Sequence, residues 1–172
     1  MDFAAIIVAI SVAVIVFALV KISMAPRKPK DPVDIVRQTW AKVTEEYTHR
    51  QIGDMLYANL FASNREMPET IFRGVDQKTQ SVKIVTMLDS VIKMLETPED
   101  LELILVDAGR RHAHYSTEPK HFPVIGAALM ETLSMILERQ WTPEVRAAWT
   151  GVYSMISEEM TKGLEQGLRK MH

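Results

Sequence analysis

Apolar residues recur every three to four positions through residues 31–172, and no segment alternates between apolar and polar positions over the length of a strand. This spacing puts the apolar side chains on one face of a helix. The stripes predict a helix from Pro32, a second over 52–60, and further helices over 77–96, 98–114, 122–138 and 143–168. With an irregular corner around Pro68, the pattern predicts an all-α domain of about seven helices, a class that alone specifies no function.

Three of these helices begin with a capping residue followed by proline, namely Asp31-Pro32, Thr97-Pro98 and Thr142-Pro143. The side-chain oxygen of the first residue can accept a hydrogen bond from a free backbone N–H of the first turn. Proline fits the first helical position, where its missing N–H leaves no bond unmade. We therefore expect a capped helix start at each of the three dipeptides.

The first 20 residues differ from the rest, because positions 3–20 hold only apolar side chains apart from Ser11. A helix needs about 20 such residues to cross a bilayer. The basic residues follow this run, and flanking Lys and Arg stay on the cytoplasmic side. The pattern predicts a transmembrane anchor over 1–23, a basic proline-containing linker over 24–30, and a domain over 31–172 that faces the cytoplasm from the cell inner membrane, with membrane lipid as a partner.

A cleavable signal peptide is the alternative, and Ser23-Met24-Ala25 is compatible with its cleavage site. Signal peptides carry positive charge before the apolar run, whereas here that segment contains no Lys or Arg. The sequence favours the anchor.

Composition removes several classes of function. The chain has no cysteine, which excludes disulfides, thiolate metal sites, iron–sulfur clusters and a cysteine nucleophile. Four of the 20 basic residues and one of the 22 acidic residues lie in the first 30 positions, so the remainder carries a formal charge of −5. An acidic domain argues against nucleic acid as a partner.

His112 is the one histidine of five that clearly continues an apolar stripe. A histidine in that position is more often a hydrogen-bonded core residue than a ligand, although a neutral imidazole is also a common metal ligand. Taken alone, the residue leaves both interpretations open.

Several segments, in order and spacing, resemble the globin family. They are 34–40, Leu60-Phe61 leading to Ile71-Phe72, 108–112, 119–129, and Ala147-Ala148-Trp149 followed by Tyr153. The similarity covers nearly all of 31–168 and is strongest to single-domain bacterial globins, the haem domain of flavohaemoglobins, and neuroglobin. It implies a globin fold around haem b, preceded here by the predicted transmembrane helix.

The resemblance also assigns roles to residues. It makes His112 the ligand of the haem iron, and Tyr57 and Gln80 the distal residues that contact a bound gas. Cofactor contacts are implied for Phe72, Lys83, Ile84, Ala108, Phe122 and Ile125. The amine of Lys83, one turn from Gln80, is the rival candidate for the sixth iron position, because desolvation could lower its pKa enough for it to coordinate.

The chain also departs from the flavohaemoglobin pattern. The tyrosine and glutamate that buttress the proximal histidine there correspond to Phe122 and Leu164, with Glu165 one position away. A strongly electron-rich proximal side is therefore not expected. The chain ends where a reductase would begin, so turnover is expected to need an external electron donor.

The resemblance implies binding of dioxygen and nitric oxide. Two functions stay open: conversion of nitric oxide to nitrate with an external reductase, or sensing of a ligand or redox state for a membrane signalling partner. A haem-free regulatory globin is disfavoured by His112.

Overall fold

The computed structural model describes residues 30–171, and the described residues from Asp31 onwards form one compact unit. The α-helices are α1 (Pro32–Glu46), α2 (His49–Ser63), α3 (Gln77–Lys93), α4 (Pro98–His112), α5 (His121–Leu137) and α6 (Pro143–Met171). Short 3₁₀ turns occur at Met67–Glu69, Ala113–Tyr115 and Glu138–Gln140. The described part of the chain is all-α, as predicted, with six α-helices rather than about seven.

The predicted anchor, residues 1–23, and most of the predicted linker lie outside the described residues. Within 30–171, none of the helices combines the length and the apolar character that crossing a membrane requires.

Two of the three predicted caps form. Asp31 Oδ1 accepts a hydrogen bond from the Val33 N–H at 2.9 Å, and Thr142 Oγ1 accepts one from the Val145 N–H at 3.3 Å. The predicted cap at Thr97 is wrong, because its hydroxyl donates backwards to the Met94 carbonyl at 3.2 Å. This bond to the preceding turn leaves the first N–H groups of α4 without a side-chain acceptor.

Helix α2 has the most complete cap, which the proline pattern did not reveal. The Thr48 hydroxyl accepts from the Gln51 N–H at 3.3 Å, while Gln51 Oε1 accepts from the Thr48 N–H at 2.9 Å. This reciprocal capping box satisfies two backbone donors at once.

Two tryptophans connect three helices in the core. Trp40 of α1 and Trp149 of α6 meet edge to face with their ring centroids 5.9 Å apart. Trp149 Nε1 donates to Thr39 Oγ1 at 2.9 Å, and Trp40 Nε1 donates to Asp89 Oδ1 of α3 at the same distance. Both rings are almost fully buried and both indole N–H groups are satisfied, so neither tryptophan has a group left for ligand chemistry.

Glycines bring two helix pairs into backbone contact. A Cβ atom on Gly53 would overlap the Ser81 backbone, so α2 and α3 touch there without an intervening side chain. A Cβ atom on Gly163 of α6 would likewise overlap the Val106 carbonyl oxygen of α4. These close approaches fix the helices that carry the candidate site.

Candidate functional site

A cavity of about 610 Å³ lies between helices α2 to α6 and the 3₁₀ turn after Phe61. This volume is within the usual range for small-molecule and cofactor sites, about 300–1,000 Å³. The predicted site residues that line it are Tyr57, Phe72, Gln80, Lys83, Ile84, His112, Phe122 and Ile125. Ala108 is the exception among the predicted contacts, since it does not line the cavity.

His112 is the last residue of α4 and lines the cavity with a half-buried ring. Its Nδ1 lies 2.7 Å from the Ala108 carbonyl oxygen. Because a carbonyl can only accept, Nδ1 carries the proton, and in the neutral ring Nε2 keeps its lone pair. This is the arrangement by which a backbone carbonyl orients a metal-binding histidine. Ala108 thus acts through its carbonyl on the ring rather than by contact with the cavity.

Aromatic side chains surround the His112 ring. Phe122 of α5 and Tyr115 place their ring centroids 6.0 and 5.8 Å away. Leu164 is fully buried, and Glu165 is exposed beside Arg169. Among the described residues, the hydrogen-bond partner of the ring is therefore the neutral Ala108 carbonyl and not a carboxylate.

Tyr57 of α2 also lines the cavity. Its side chain is 1% exposed, and its hydroxyl has no hydrogen-bond partner in the described part of the molecule. Burial raises the pKa of Tyr57 to about 12, so the hydroxyl stays protonated and remains a donor. A buried hydroxyl without a partner costs about 1–3 kcal/mol, so a ligand in the cavity that accepts a hydrogen bond from it would recover this energy.

Two phenylalanines hold the Tyr57 ring. Phe61 lies one helical turn further along α2, with centroids 5.4 Å apart, and Phe72 meets Tyr57 edge to face at 5.3 Å. The two phenylalanines also contact each other at 5.7 Å. The ring packing fixes the position of the hydroxyl, although the packing itself provides it with no acceptor.

Helix α3 forms the side of the cavity next to Tyr57. Gln80 and Ile84 are half-buried one helical turn apart, and Lys83 is exposed while still lining the cavity. Asp76 caps the helix by accepting from the Lys78 N–H at 3.1 Å. Because Gln80 is half-buried and lines the cavity, its side-chain amide is a second polar group available there. The amine of the exposed Lys83 lies at the solvent side of the cavity.

Four of the polar lining residues were not singled out from the sequence: Tyr115, Thr117, His121 and Ser157. His121 falls inside the globin-like segment 119–129. It is the first residue of α5 and stands before the apolar stripe of that helix, so hydrophobic periodicity does not indicate it. Thr117 lies in the loop before α5, which has no periodicity at all.

Known proteins show similarity over the same region. Neuroglobin of Tetraodon nigroviridis is 28% identical over 81 residues, which cover 47% of this chain and about half (51%) of that protein. Cytoglobin-2 of Danio rerio is 22% identical over 140 residues, covering 74% of this chain and 77% of the relative. A flavohemoprotein of Vibrio cholerae is 27% identical over 104 residues, which cover 59% of this chain and 26% of that protein.

A solved structure described as a hexacoordinated heme protein from an anhydrobiotic tardigrade superposes with a TM-score of 0.68. It covers 81% of this chain and 96% of its own, at 16% identity, and therefore supports the fold. The model of the globin family matches residues 57–160, which include every predicted site residue and more than half of the chain. The chain belongs to the globin family.

Proposed function

We propose that the cavity holds haem b and that the protein binds dioxygen. The observation that carries this proposal is the pairing, in one apolar cavity, of a histidine whose Nε2 lone pair is free with a buried tyrosine hydroxyl that has no partner. The haem-binding relatives named above and membership of the globin family support the same conclusion.

When bound, haem iron supplies reversible binding of diatomic gases. In this chain, His112 Nε2 would hold the iron, while Phe72, Ile84, Phe122 and Ile125 would contact the macrocycle and exclude water. Tyr57 Oη would donate a hydrogen bond to a diatomic ligand that carries partial negative charge, and the Gln80 amide would supply a second. Such donors are worth more in a cavity poor in water than in solution.

The sixth coordination position is proposed to be open in the ferrous protein. The tardigrade relative is hexacoordinated by its description, but α3 of this chain contains no histidine. Gln80 is a poor iron ligand, and the Lys83 side chain is exposed to solvent at the edge of the cavity.

Visible spectra of the ferric, ferrous and carbonyl forms test the proposal. We expect His112→Ala to lose haem or bind it loosely, because His112 offers a free Nε2 lone pair to the cavity. His121 also lines the cavity, but its Nδ1 accepts from the Glu118 N–H, so its Nε2 carries the proton. His114→Ala removes an exposed histidine two residues away and is the matched control. Unchanged haem content and ferrous spectrum in His112→Ala would contradict the assignment.

Nitric oxide is the second proposed ligand, and its dioxygenation is a candidate activity. Nitric oxide, dioxygen and one electron give nitrate, and the electron would come from an external reductase. Nitric oxide consumption with a competent reductase supplied tests this activity. A low rate, with normal dioxygen binding, favours a sensor that signals to a membrane partner.

Anchoring of the domain to the cytoplasmic face of the inner membrane is also a proposal, supported by the apolar run and its one-sided basic flank. In sealed right-side-out vesicles, added protease should leave the domain intact. Digestion would contradict the orientation, and a mature chain beginning at Pro26 would show cleavage instead.

A further inference from the structure

A polar groove adjoins the haem-sized cavity. It has a volume of about 840 Å³ and runs between the segment 63–71 and the segment 116–124. Three residues, Met67, Ile71 and His121, line both the groove and the cavity. They form the wall between the two spaces, and His121 is its one titratable member.

The position of the His121 ring depends on its protonation state. Its Nδ1 accepts a hydrogen bond from the Glu118 backbone N–H at 2.9 Å. An N–H can only donate, so this bond requires Nδ1 to keep its lone pair. In the structure the ring is therefore neutral, with its proton on Nε2.

We infer that His121 is a pH-operated gate through which small ligands pass from the groove into the cavity. Protonation places a hydrogen on Nδ1 opposite the Glu118 N–H, which removes the bond and sets two donors against each other. The cation also sits at the N-terminus of α5, where the helix dipole disfavours positive charge. Both effects release the ring from the wall.

The charges around the ring direct it outward. Glu118 and Lys120 flank it on its own segment, and their side chains pair at 2.9 Å. Arg65 and Glu66 line the groove from the opposite segment, and the Tyr115 phenol faces the cavity side. The Lys120 ammonium lowers the pKa of Glu118, which stays ionised when His121 becomes charged. A released imidazolium therefore has the Glu66 and Glu118 carboxylates, as well as the two cations, within the groove, whereas the cavity lining is mostly apolar and contains no carboxylate among the described residues.

The pKa of His121 sets the range in which the gate works. Burial lowers this pKa from its ordinary value of 6.5, the Glu118 carboxylate raises it, and Lys120 lowers it, with a net decrease. The closed, neutral ring thus contributes stability that is complete above pH 6.5 and declines as the pH falls through the lowered value. The gate is closed at neutral pH and opens on acidification.

Carbon monoxide recombination after flash photolysis of the full-length haem-loaded protein tests the gate between pH 5 and pH 8. We expect the bimolecular rate of the unmodified protein to rise roughly three- to tenfold as the pH falls, since it follows the fraction of open molecules. His121→Ala should be fast and His121→Phe slow, each without this pH dependence. His114→Ala, which changes an exposed histidine, should behave like the unmodified protein.

A second measurement reports on the ring itself. Nitrogen chemical shifts of the diamagnetic carbonyl form should show Nδ1 of His121 unprotonated at pH 8, with a titration midpoint equal to that of the recombination rate. Equal rates in His121→Ala and the unmodified protein at every pH would overturn the gate, as would a protonated Nδ1 at pH 8.

The inference rests on the proposed function only because a haem-bound gas serves as the probe. Failure of haem to bind would contradict the proposed function. Normal haem binding with rates that ignore His121 would contradict the gate alone.

Discussion

The two sides of the cavity differ in how completely the protein satisfies its own polar groups. On the His112 side, the imidazole proton already bonds to the Ala108 carbonyl, and backbone contact at Gly163 fixes the helix that carries the ring. On the Tyr57 side, a buried hydroxyl has no acceptor, and Gln80 is half-buried without a described side-chain partner. The His112 side keeps only the Nε2 lone pair free, whereas the Tyr57 side keeps hydrogen-bond donors that a ligand can use.

This difference indicates that the unpartnered hydroxyl on the Tyr57 side lowers the stability of the empty protein and serves to bind a ligand. Removing the unpartnered hydroxyl should cost the empty protein nothing, whereas disturbing the glycine contact should cost it a great deal. The four predictions below test this contrast between the two sides, from the largest expected effect to the smallest.

Gly163→Ala should cause the largest loss, at least about 2–3 kcal/mol in the free energy of unfolding, because its Cβ would overlap the Val106 carbonyl oxygen and push α4 from α6. Denaturant titration measures it. Gly151→Ala on the same helix is the matched control, because nothing lies near its Cβ, and it should stabilise by about 0.5–1 kcal/mol. Equal effects of the two substitutions would refute a tight contact between α4 and α6.

Tyr57→Phe should separate stability from ligand binding. Loss of a hydrogen bond worth about 1.4–2.8 kcal/mol to the ligand corresponds to a ten- to hundredfold faster dissociation of dioxygen, with a smaller effect on the less polar carbon monoxide. The unfolding free energy of the haem-free protein should stay the same or increase, since the hydroxyl is unpartnered. Stopped-flow ligand displacement and denaturant titration measure the two quantities, and a lower stability of Tyr57→Phe would show that the hydroxyl has a partner within the protein.

Thr48→Ala should cost about 1 kcal/mol of stability, because it removes a side-chain oxygen that caps α2. Thr97→Ala, at the start of α4, is the matched comparison and should cost less, because that hydroxyl does not cap its helix. Thermal unfolding of the pair measures the difference. A larger loss in Thr97→Ala would reverse our assignment of the two helix starts.

Lys83→Ala should have the smallest effect on the ferrous spectrum. We expect a five-coordinate spectrum both before and after the substitution, because the Lys83 side chain is exposed to solvent rather than buried in the cavity. Lys78→Ala on the same helix controls for loss of charge. A low-spin ferrous spectrum that disappears in Lys83→Ala alone would identify Lys83 as an internal sixth ligand, and the Tyr57 side would then be occupied rather than open.

Helix positions follow closely from the sequence, because the apolar stripes that bury Val36, Leu105 and Ile156 are a local property of the chain. The family resemblance predicted residues that the fold does bring together, among them Tyr57, Gln80 and His112. Gln80 lies 23 positions after Tyr57 and 32 before His112. That all three line one cavity depends on how the helices cross, which periodicity does not encode.

Other features were not predicted from the hydrophobic pattern, and only the last of the three depends on tertiary geometry. The Thr48 hydroxyl has a partner three residues later, but the absence of proline beside it concealed the cap. Ala108 lies on the apolar stripe, as predicted, yet its contribution comes from a carbonyl oxygen that no side-chain pattern represents. His121 matters because two spaces meet at its ring, which only the packed structure reveals.

The contact between Gly53 and the Ser81 backbone has a consequence for how the ligand space can change during evolution. Gly53 is one helical turn before Tyr57, and Ser81 directly follows Gln80, so backbone rather than side chains sets the spacing of the two donors. Rotamer changes elsewhere in the cavity leave that spacing unaltered. A lineage that needed a wider space for a bulkier ligand would have to replace residue 53 itself, and the altered selectivity would then trace to a position that donates no hydrogen bond to the ligand.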